Sequence, residues 1–313
     1  MQRVLLASPR GYCAGVERAV DTVERALRLY GRPVYVRRQI VHNSHVVRDL
    51  EALGAVFVES VHDVPEGSPV VFSAHGVSPV VRATAARRGL LAIDATCPLV
   101  TKVHTQARRY AQAGYTIVFI GHAGHEEVEG TMGEAPDRTV LVETPAEAAT
   151  VELPAGPLAY ITQTTLSVDE TREIIAVLRA RFPRIEGPAK DDICYATTNR
   201  QSAVKELVDE IDLLLVIGSR NSSNSKRLVE VARAAGVDAH LVDDAREIDE
   251  RWLDGVGTVG LTSGASAPER LVAEACDWFR ARGVGEVVEH RPVAEDVVFK
   301  LPVELRRAER SAA

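Results

Sequence analysis

The chain has 313 residues, 46 % of them hydrophobic and 26 % charged, with a formal net charge of −7. That is the profile of a globular protein in water, and it lacks the basic surface that a phosphate backbone requires, so nucleic acid is not an expected partner. No stretch reaches the ~20 apolar residues of a membrane span, and the apolar run in MQRVLLASPRGYCAG is too short for a signal peptide. The expectation is a cytoplasmic protein whose cysteines stay reduced.

Short strands and helices alternate from the start. Val4–Ala7 reads as a strand leading to Cys13. A helix follows in AGVERAVDTVERALRLYG, with Val16, Ala19, Val20, Val23, Ala26 and Leu27 on one face and Gly31 as the stop. Val34–Val36 and Val70–Ser73 are further strands, each running into a polar loop, QIVHNSH and FSAHGVSP. Ser78-Pro79 starts a helix, where the missing N–H of proline costs nothing. Leu90–Ile93 is the strand before Cys97, and PLVTKVHTQARRYAQAG is the helix after it. Thr116–Ile120 and Leu158–Thr162 then lead to FIGHAGHEE and ITQTTLSVDE. Cys194 precedes YATTNRQSAVKELVDEI, and Leu213–Ile217 and Thr258–Thr262 lead to VIGSRNSSNS and LTSGASAPE, with Ala267-Pro268 opening a last helix. In the tail, His290–Ala313, VVFKLP reads as an added strand and RRAERSAA as frayed and solvated.

This order is one segment written three times. Cys13 to His42 spans 29 residues, Cys97 to His125 spans 28, and Cys194 to Ser222 spans 28. Self-similarity at a fixed period marks repeated supersecondary units. The expected domains are 14–97, 98–194 and 195–290, the last completed by 1–13, with 291–313 as a tail. The strand before Cys97 comes from the end of the first repeat. By that rule the strand before Cys13 should come from a preceding repeat, so it is expected to dock into the third domain. Alternating strands and helices imply an α/β protein with mainly parallel sheets.

In such sheets ligands bind beyond the carboxyl ends of the strands. Helix N-termini there favour anions. The loops hold neutral hydrogen-bonding groups, namely His42, Asn43, His75, Thr164, Thr165, Ser222, Ser223, Asn224, Ser263 and Ser266. That set suits a phosphate or diphosphate. Three thiols at matching positions suggest a shared metal centre. Zinc would want a fourth ligand, and a cubane cluster held by three cysteines would leave one iron open. Cys276 lies outside the repeat positions, on the apolar side of a helix, and reads as a buried thiol. Glu127 is the expected proton donor, with Glu126 as the alternative at adjacent spacing, and Glu126 and Glu129 read equally as solvated helix-start carboxylates or as ligands. Of the histidines, His42, His75 and His125 fall at repeat-equivalent loops. His45, His62, His104, His240 and His290 read as packing or solvent residues, and His122 is unassigned. Neither G-x-G-x-x-G nor G-x-x-x-x-G-K-[ST] occurs, so nucleotide binding has no motif support.

GYCAGVERA, VHNSHVV, FSAHGVSP, DATCPLVTKVH, GHAGHEEVEGT, TQTTLSVDE, DICYATTNRQ, GSRNSSNSKRL and TSGASAPE together resemble the 4-hydroxy-3-methylbut-2-enyl diphosphate reductases, the last enzymes of the methylerythritol phosphate route to isoprenoids. The resemblance spans almost the whole chain. It implies a trefoil of three pseudo-threefold-related α/β domains around a [4Fe-4S] cluster held by Cys13, Cys97 and Cys194. It implies a diphosphate pocket from His42, His75, His125, Thr165, Ser222, Ser223, Asn224 and Ser266. Glu127 and Thr164 then fall near the substrate hydroxyl, which the open iron would bind, and Glu127 delivers the proton with His125 as a relay. Electrons would come from an external donor such as ferredoxin or flavodoxin. Two rival readings of the residues stand beside it: a zinc-dependent hydrolase of a phosphorylated substrate, and a cluster-bearing redox sensor that binds a small anion.

Overall fold

The computed structural model describes residues 3–290 and 293–312. The described strands, in chain order, are β1 (Arg3–Leu6), β2 (Val34–Arg37), β3 (Ala55–Val58), β4 (Pro69–Phe72), β5 (Leu91–Asp94), β6 (Thr116–Ile120), β7 (Thr139–Val142), β8 (Leu158–Thr162), β9 (Leu213–Ile217), β10 (Asp238–Val242), β11 (Thr258–Ser263) and β12 (Glu286–Glu289). The α-helices are α1 (Ala14–Tyr30), α2 (Ser44–Leu53), α3 (Pro79–Arg87), α4 (Pro98–Gln112), α5 (Glu126–Met132), α6 (Pro145–Thr150), α7 (Val168–Arg181), α8 (Tyr195–Leu207), α9 (Ser223–Ala234), α10 (Glu269–Arg280) and α11 (Val303–Ala312). They form three parallel sheets, so the protein is α/β, and the chain divides into two compact units.

One unit comprises residues 1–14, 42–46 and 195–298 and holds the sheet β10-β9-β11-β1-β12. Its strand β9, LLLVI, beside the edge strand β10, is buried at every position, as expected of a parallel strand covered on both faces. Side chains alternate along a strand. Leu213, Leu215 and Ile217 therefore join Val4 and Leu261 under Leu271, Ala275 and Phe279 of α10. Leu214 and Val216 join Leu5 under Val204 and Leu207 of α8 and Leu228 of α9. β1 lies between β11 and β12, with Leu6 in register with Leu261 and Glu289.

The other unit comprises 15–41, 47–194 and 299–313 and holds two sheets, β3-β2-β4-β5 and β7-β6-β8. In the second of these, Val118 and Ile120 pack on Ile174 and Leu178 of α7. Ile117 and Phe119 face Val103 and Ala107 of α4 and Val128 of α5. A single parallel bridge between Ala159 and Glu186 extends that sheet. In each sheet, then, one segment bordering the third repeat strand leads to a cysteine: β1 to Cys13, β5 to Cys97, and Glu186 to Cys194.

Four strands were not expected from the sequence: β3, β7, β10 and β12. β3, β7 and β10 end their sheets on one side and β12 ends one on the other, and in each at least three positions are exposed or half-buried. The tail also differs. Residues 297–302 form no strand, and residues 306–312 of RRAERSAA lie within α11 instead of fraying, the last residue of that stretch lying outside the described residues. Leu305 is fully buried, α11 packs on β5, and Glu309 pairs with Arg25 of α1 at 3.2 Å. One apolar anchor every turn or so suffices to hold a polar helix onto a sheet, and such a sparse stripe is hard to read from composition.

Candidate active site

Each cysteine is the residue just before a helix, half-buried and outside any disulfide. Each backbone N–H makes the same kind of hydrogen bond. Cys97 donates to the carbonyl of Ala74 at 2.9 Å, Cys194 to Thr164 at 3.0 Å, and Cys13 to Ala265 at 3.2 Å. Those acceptors immediately precede His75, Thr165 and Ser266, so this bond fixes the correspondence of the three repeats without reference to spacing.

In the unit with two sheets, the loop after β6 carries the acid–base groups. His125 caps α5: its Nδ1 accepts the backbone N–H of Glu127 at 3.1 Å, so a neutral ring carries its proton on Nε2. Glu127 is 1 % exposed. Its Oε1 accepts the N–H of Thr164 at 2.7 Å, and its Oε2 lies 3.0 Å from the Thr164 hydroxyl. Burial pushes its carboxyl up to about 7, against the opposing pull of the Thr164 hydrogen bonds and of His75. Its neighbour Glu126 goes the other way. Burial would raise it too, but His75, Arg38 and Ser73 outweigh that and hold it below the usual range. The Ser73 hydroxyl donates to Glu126 Oε2 at 3.2 Å, and His75 Nδ1 stands 3.6 Å from the same oxygen. The rings of His75 and His125 meet edge to face, with centroids 5.6 Å apart. Glu129 pairs with Arg38 at 2.8 Å. Gln163, fully buried, accepts from the N–H of His122 at 3.1 Å and donates to Thr165 Oγ1 at 2.9 Å.

In the other unit the loops after β9 and β11 carry no carboxylate. Ser222 caps α9 by accepting the N–H of Ser225. Asn224 Oδ1 accepts the N–H of Ala265 at 2.9 Å, and its Nδ2 reaches Thr197 Oγ1 at 3.4 Å. Ser266 donates to the carbonyl of His42 at 2.9 Å, and His42 Nδ1 lies 3.4 Å from Asn221 Nδ2. Ser223 is buried beside them. Asn43 accepts the N–H groups of His45 and Val46 at 3.1 Å and so caps α2. That makes Asn43 the structural counterpart of His125 and Ser222, with His42 one residue ahead of it. The offset of 29 against 28 concealed this. Ser225 is cradled by two glycines: a Cβ at Gly218 or Gly264 would lie 2.2 or 2.0 Å from its hydroxyl.

The remaining candidates lie elsewhere. Cys276 is buried in α10 within the apolar core, and burial pushes its thiol up. His45 pairs with Asp244 at 3.1 Å, His104 with Glu134 at 2.9 Å and His290 with Glu210 at 2.9 Å. His240 stacks on Trp252, and His62 is exposed. Gln163 and Ser73 escaped the sequence reading. Each sits at the end of a buried strand, where a polar residue in an otherwise apolar run was the available signal.

The sequence profile of the family described as LytB protein matches residues 4–280. The chain belongs to the LytB family. This LytB chain is 62 % identical over 308 residues to the 4-hydroxy-3-methylbut-2-enyl diphosphate reductase of Acidothermus cellulolyticus, covering 98 % of the chain and 91 % of that relative. It is 57 % identical over 314 residues to the enzyme of the same name from Streptomyces avermitilis, covering 100 % and 93 %. Among solved structures it superposes on the E-1-hydroxy-2-methyl-but-2-enyl-4-diphosphate reductase of Plasmodium falciparum with a TM-score of 0.94 and 39 % identity, covering 99 % of both chains. A second, the (E)-4-hydroxy-3-methyl-but-2-enyl diphosphate reductase described as the terminal enzyme of the non-mevalonate pathway, gives 0.63 and 30 %, covering 90 % of this chain and all of that one.

LytB proteins are iron–sulfur enzymes. The donor set of this LytB chain suits that chemistry: three cysteines outside any disulfide, each at the head of a helix, where negative charge is favoured. Among the described residues no helix is long and apolar enough to cross a membrane.

Proposed function

We propose that this chain catalyses the reductive dehydroxylation of 4-hydroxy-3-methylbut-2-enyl diphosphate to isopentenyl diphosphate and dimethylallyl diphosphate, the last step of the methylerythritol phosphate route. The observation that carries this reading is a buried carboxyl, Glu127, kept largely protonated to about pH 7 and bonded twice to Thr164. A [4Fe-4S] cluster held by Cys13, Cys97 and Cys194, one iron lacking a protein ligand, would supply the two electrons. Those electrons come from outside the chain, from a carrier such as ferredoxin or flavodoxin, in the cytoplasm.

The protein's own part is binding and proton delivery. His42, His75, His125, Thr165, Ser222, Ser223, Asn224 and Ser266 hold the diphosphate. Gln163 fixes the Thr165 hydroxyl, and the ionised Glu126 fixes His75. Protonated Glu127 donates through Oε2 to Thr164 Oγ1, which frees the Thr164 proton for the departing hydroxyl. The C–O bond breaks with its electron pair going to oxygen, which leaves with that proton as water, and the two electrons supplied through the cluster would make the allyl fragment an anion. A second proton at either end of that fragment gives one product or the other, with His125 Nε2–H and the diphosphate as candidate carriers. General acid catalysis needs a group protonated near the working pH, and Glu127 meets that condition where Glu126 does not.

The test is anaerobic iron and sulfide analysis with a reductase assay. Wild-type protein and Cys276→Ser should be brown, hold both elements and release both products. Cys13→Ser, Cys97→Ser and Cys194→Ser should lose the cluster and turnover. Colourless wild-type protein containing zinc would support the hydrolase reading instead.

A further inference from the structure

Arg200 on α8 is fully buried, a rare state for an arginine. Its Nη2 donates to the carbonyl of Gly11 at 2.8 Å and to that of Arg10 at 3.4 Å. Its Nη1 donates to the carbonyl of Ala196 at 3.1 Å and stands 3.2 Å from Glu295 Oε2. Asn199, one residue earlier on the helix, donates to Glu295 Oε1 at 2.9 Å. The Gly11 residue is held a second time, its N–H donating to Ser263 Oγ at 2.8 Å, and its φ of +69° suits glycine. Just past Cys13, the N–H of Ala14 donates to the hydroxyl of Tyr195 on the same helix at 3.3 Å. Helix α8 thus grips the loop on both sides of Cys13.

An apolar side chain of similar volume would fill this space without desolvating a charge. What the guanidinium adds is a planar fork whose Nη2 holds two consecutive carbonyls while its Nη1 is held by Ala196 and Glu295. Its charge is balanced by Glu295, which lies beyond the third repeat in a segment that also bonds Val293 N–H to Ser8 Oγ at 3.0 Å.

We propose that Arg200, balanced by Glu295, is a positioning residue that fixes the loop 10–13 and so the direction of the Cys13 thiol. Its purpose, aiming a cluster ligand, rests on the function proposed above; the clamp itself does not. Lysine at 200 keeps the charge but has one ammonium in place of the fork, and Glu295→Gln keeps the shape but leaves the guanidinium without its counter-charge.

The experiment is site-resolved alkylation of the full-length chain after metal removal, with iodoacetamide under anaerobic conditions and peptide mass spectrometry. Loosening one loop without opening the fold should raise the Cys13 rate about tenfold in Arg200→Lys and about threefold in Glu295→Gln. Cys97, Cys194 and buried Cys276 should keep their wild-type rates. An unchanged Cys13 rate in both variants, or an equal rise in all four thiols, overturns the proposal. If Arg200→Lys does not fold, Glu295→Gln alone decides on the same comparison. Absence of iron and sulfide in reconstituted wild-type protein would defeat the proposed function and leave the Cys13 result standing.

Discussion

The loops after β6 and β9 occupy the same place in their sheets and carry different chemistry. The first offers His125, Glu126 and Glu127 at the head of α5, and the second offers Ser222, Ser223 and Asn224 at the head of α9. Both cap a helix, and Glu126, Glu127, Ser222, Ser223 and Asn224 are all buried. A carboxylate repels a bound diphosphate, so its presence in one loop and absence from the other separates proton handling from anion binding. Within the charged loop the separation is repeated, because Glu126 has partners that stabilise its anion and Glu127 lies where burial dominates.

The largest expected effect is on turnover. Glu127→Gln preserves size and hydrogen bonding but has no proton to give, so single-turnover reduction with an artificial donor should slow by ~10²–10⁴-fold. Iron content and substrate affinity should stay near wild type, and Glu126→Gln should lose far less. The wild-type rate should also decline above about pH 7, where Glu127 ionises, and the Gln variant should lack that limb. Equal losses in the two variants would erase the distinction between the neighbouring acids.

Asn224→Ala tests the loop that carries no carboxylate. A hydrogen bond to a charged group contributes roughly 1.5–3 kcal/mol, so diphosphate affinity measured by calorimetry should fall roughly ten- to a hundredfold. Asn224 also holds Ala265, whose carbonyl receives the Cys13 N–H. Iron content should therefore drop in this variant while remaining intact in Glu127→Gln. Full affinity in Asn224→Ala would place the anion elsewhere.

A smaller effect concerns stability. Glu127 has a folded pKa raised to about 7 from 4.5. The folded state therefore holds its proton more tightly than the unfolded chain, an advantage present below pH 4.5 and lost as pH rises to 7. Relative to wild type, Glu127→Gln should gain up to about 3 kcal/mol across that window, seen as diverging denaturation midpoints. Coincident midpoints at pH 4.5 and 8 would contradict the assignment. The smallest effect is expected at Glu129, half-exposed and paired with Arg38. Glu129→Gln should cost under about 1 kcal/mol and leave the rate unchanged.

Strands buried on both faces were readable because they are short, uninterrupted apolar runs, as in LLLVI and TIVFI. The edge strand EVVE was not, since two of its four residues are glutamate and leave too few apolar positions to set a period; AVFV, apolar throughout, carries the signal although it was not among the expected strands. The cysteines and polar loops were found through repetition, which needs only position. What repetition could not distinguish was Glu126 from Glu127: adjacent identical residues differ only in which neighbours the fold brings to them, Ser73 and His75 for one and Thr164 for the other. Arg200 was invisible for the same reason, because an arginine on a polar-looking helix gives no sign that its partners lie 189 residues away at Gly11.

The three cysteine amides each end on a carbonyl one residue before His75, Thr165 or Ser266. The proposed cluster ligand and the proposed anion-binding residue are thus joined through a single peptide unit, with no side chain between them. A loop that tightens on diphosphate must then shorten or strain that bond, and a loop that opens must release it. Amide hydrogen exchange at Cys13, Cys97 and Cys194 should consequently slow together when diphosphate binds, which makes three backbone protons an internal gauge of occupancy that needs neither turnover nor colour.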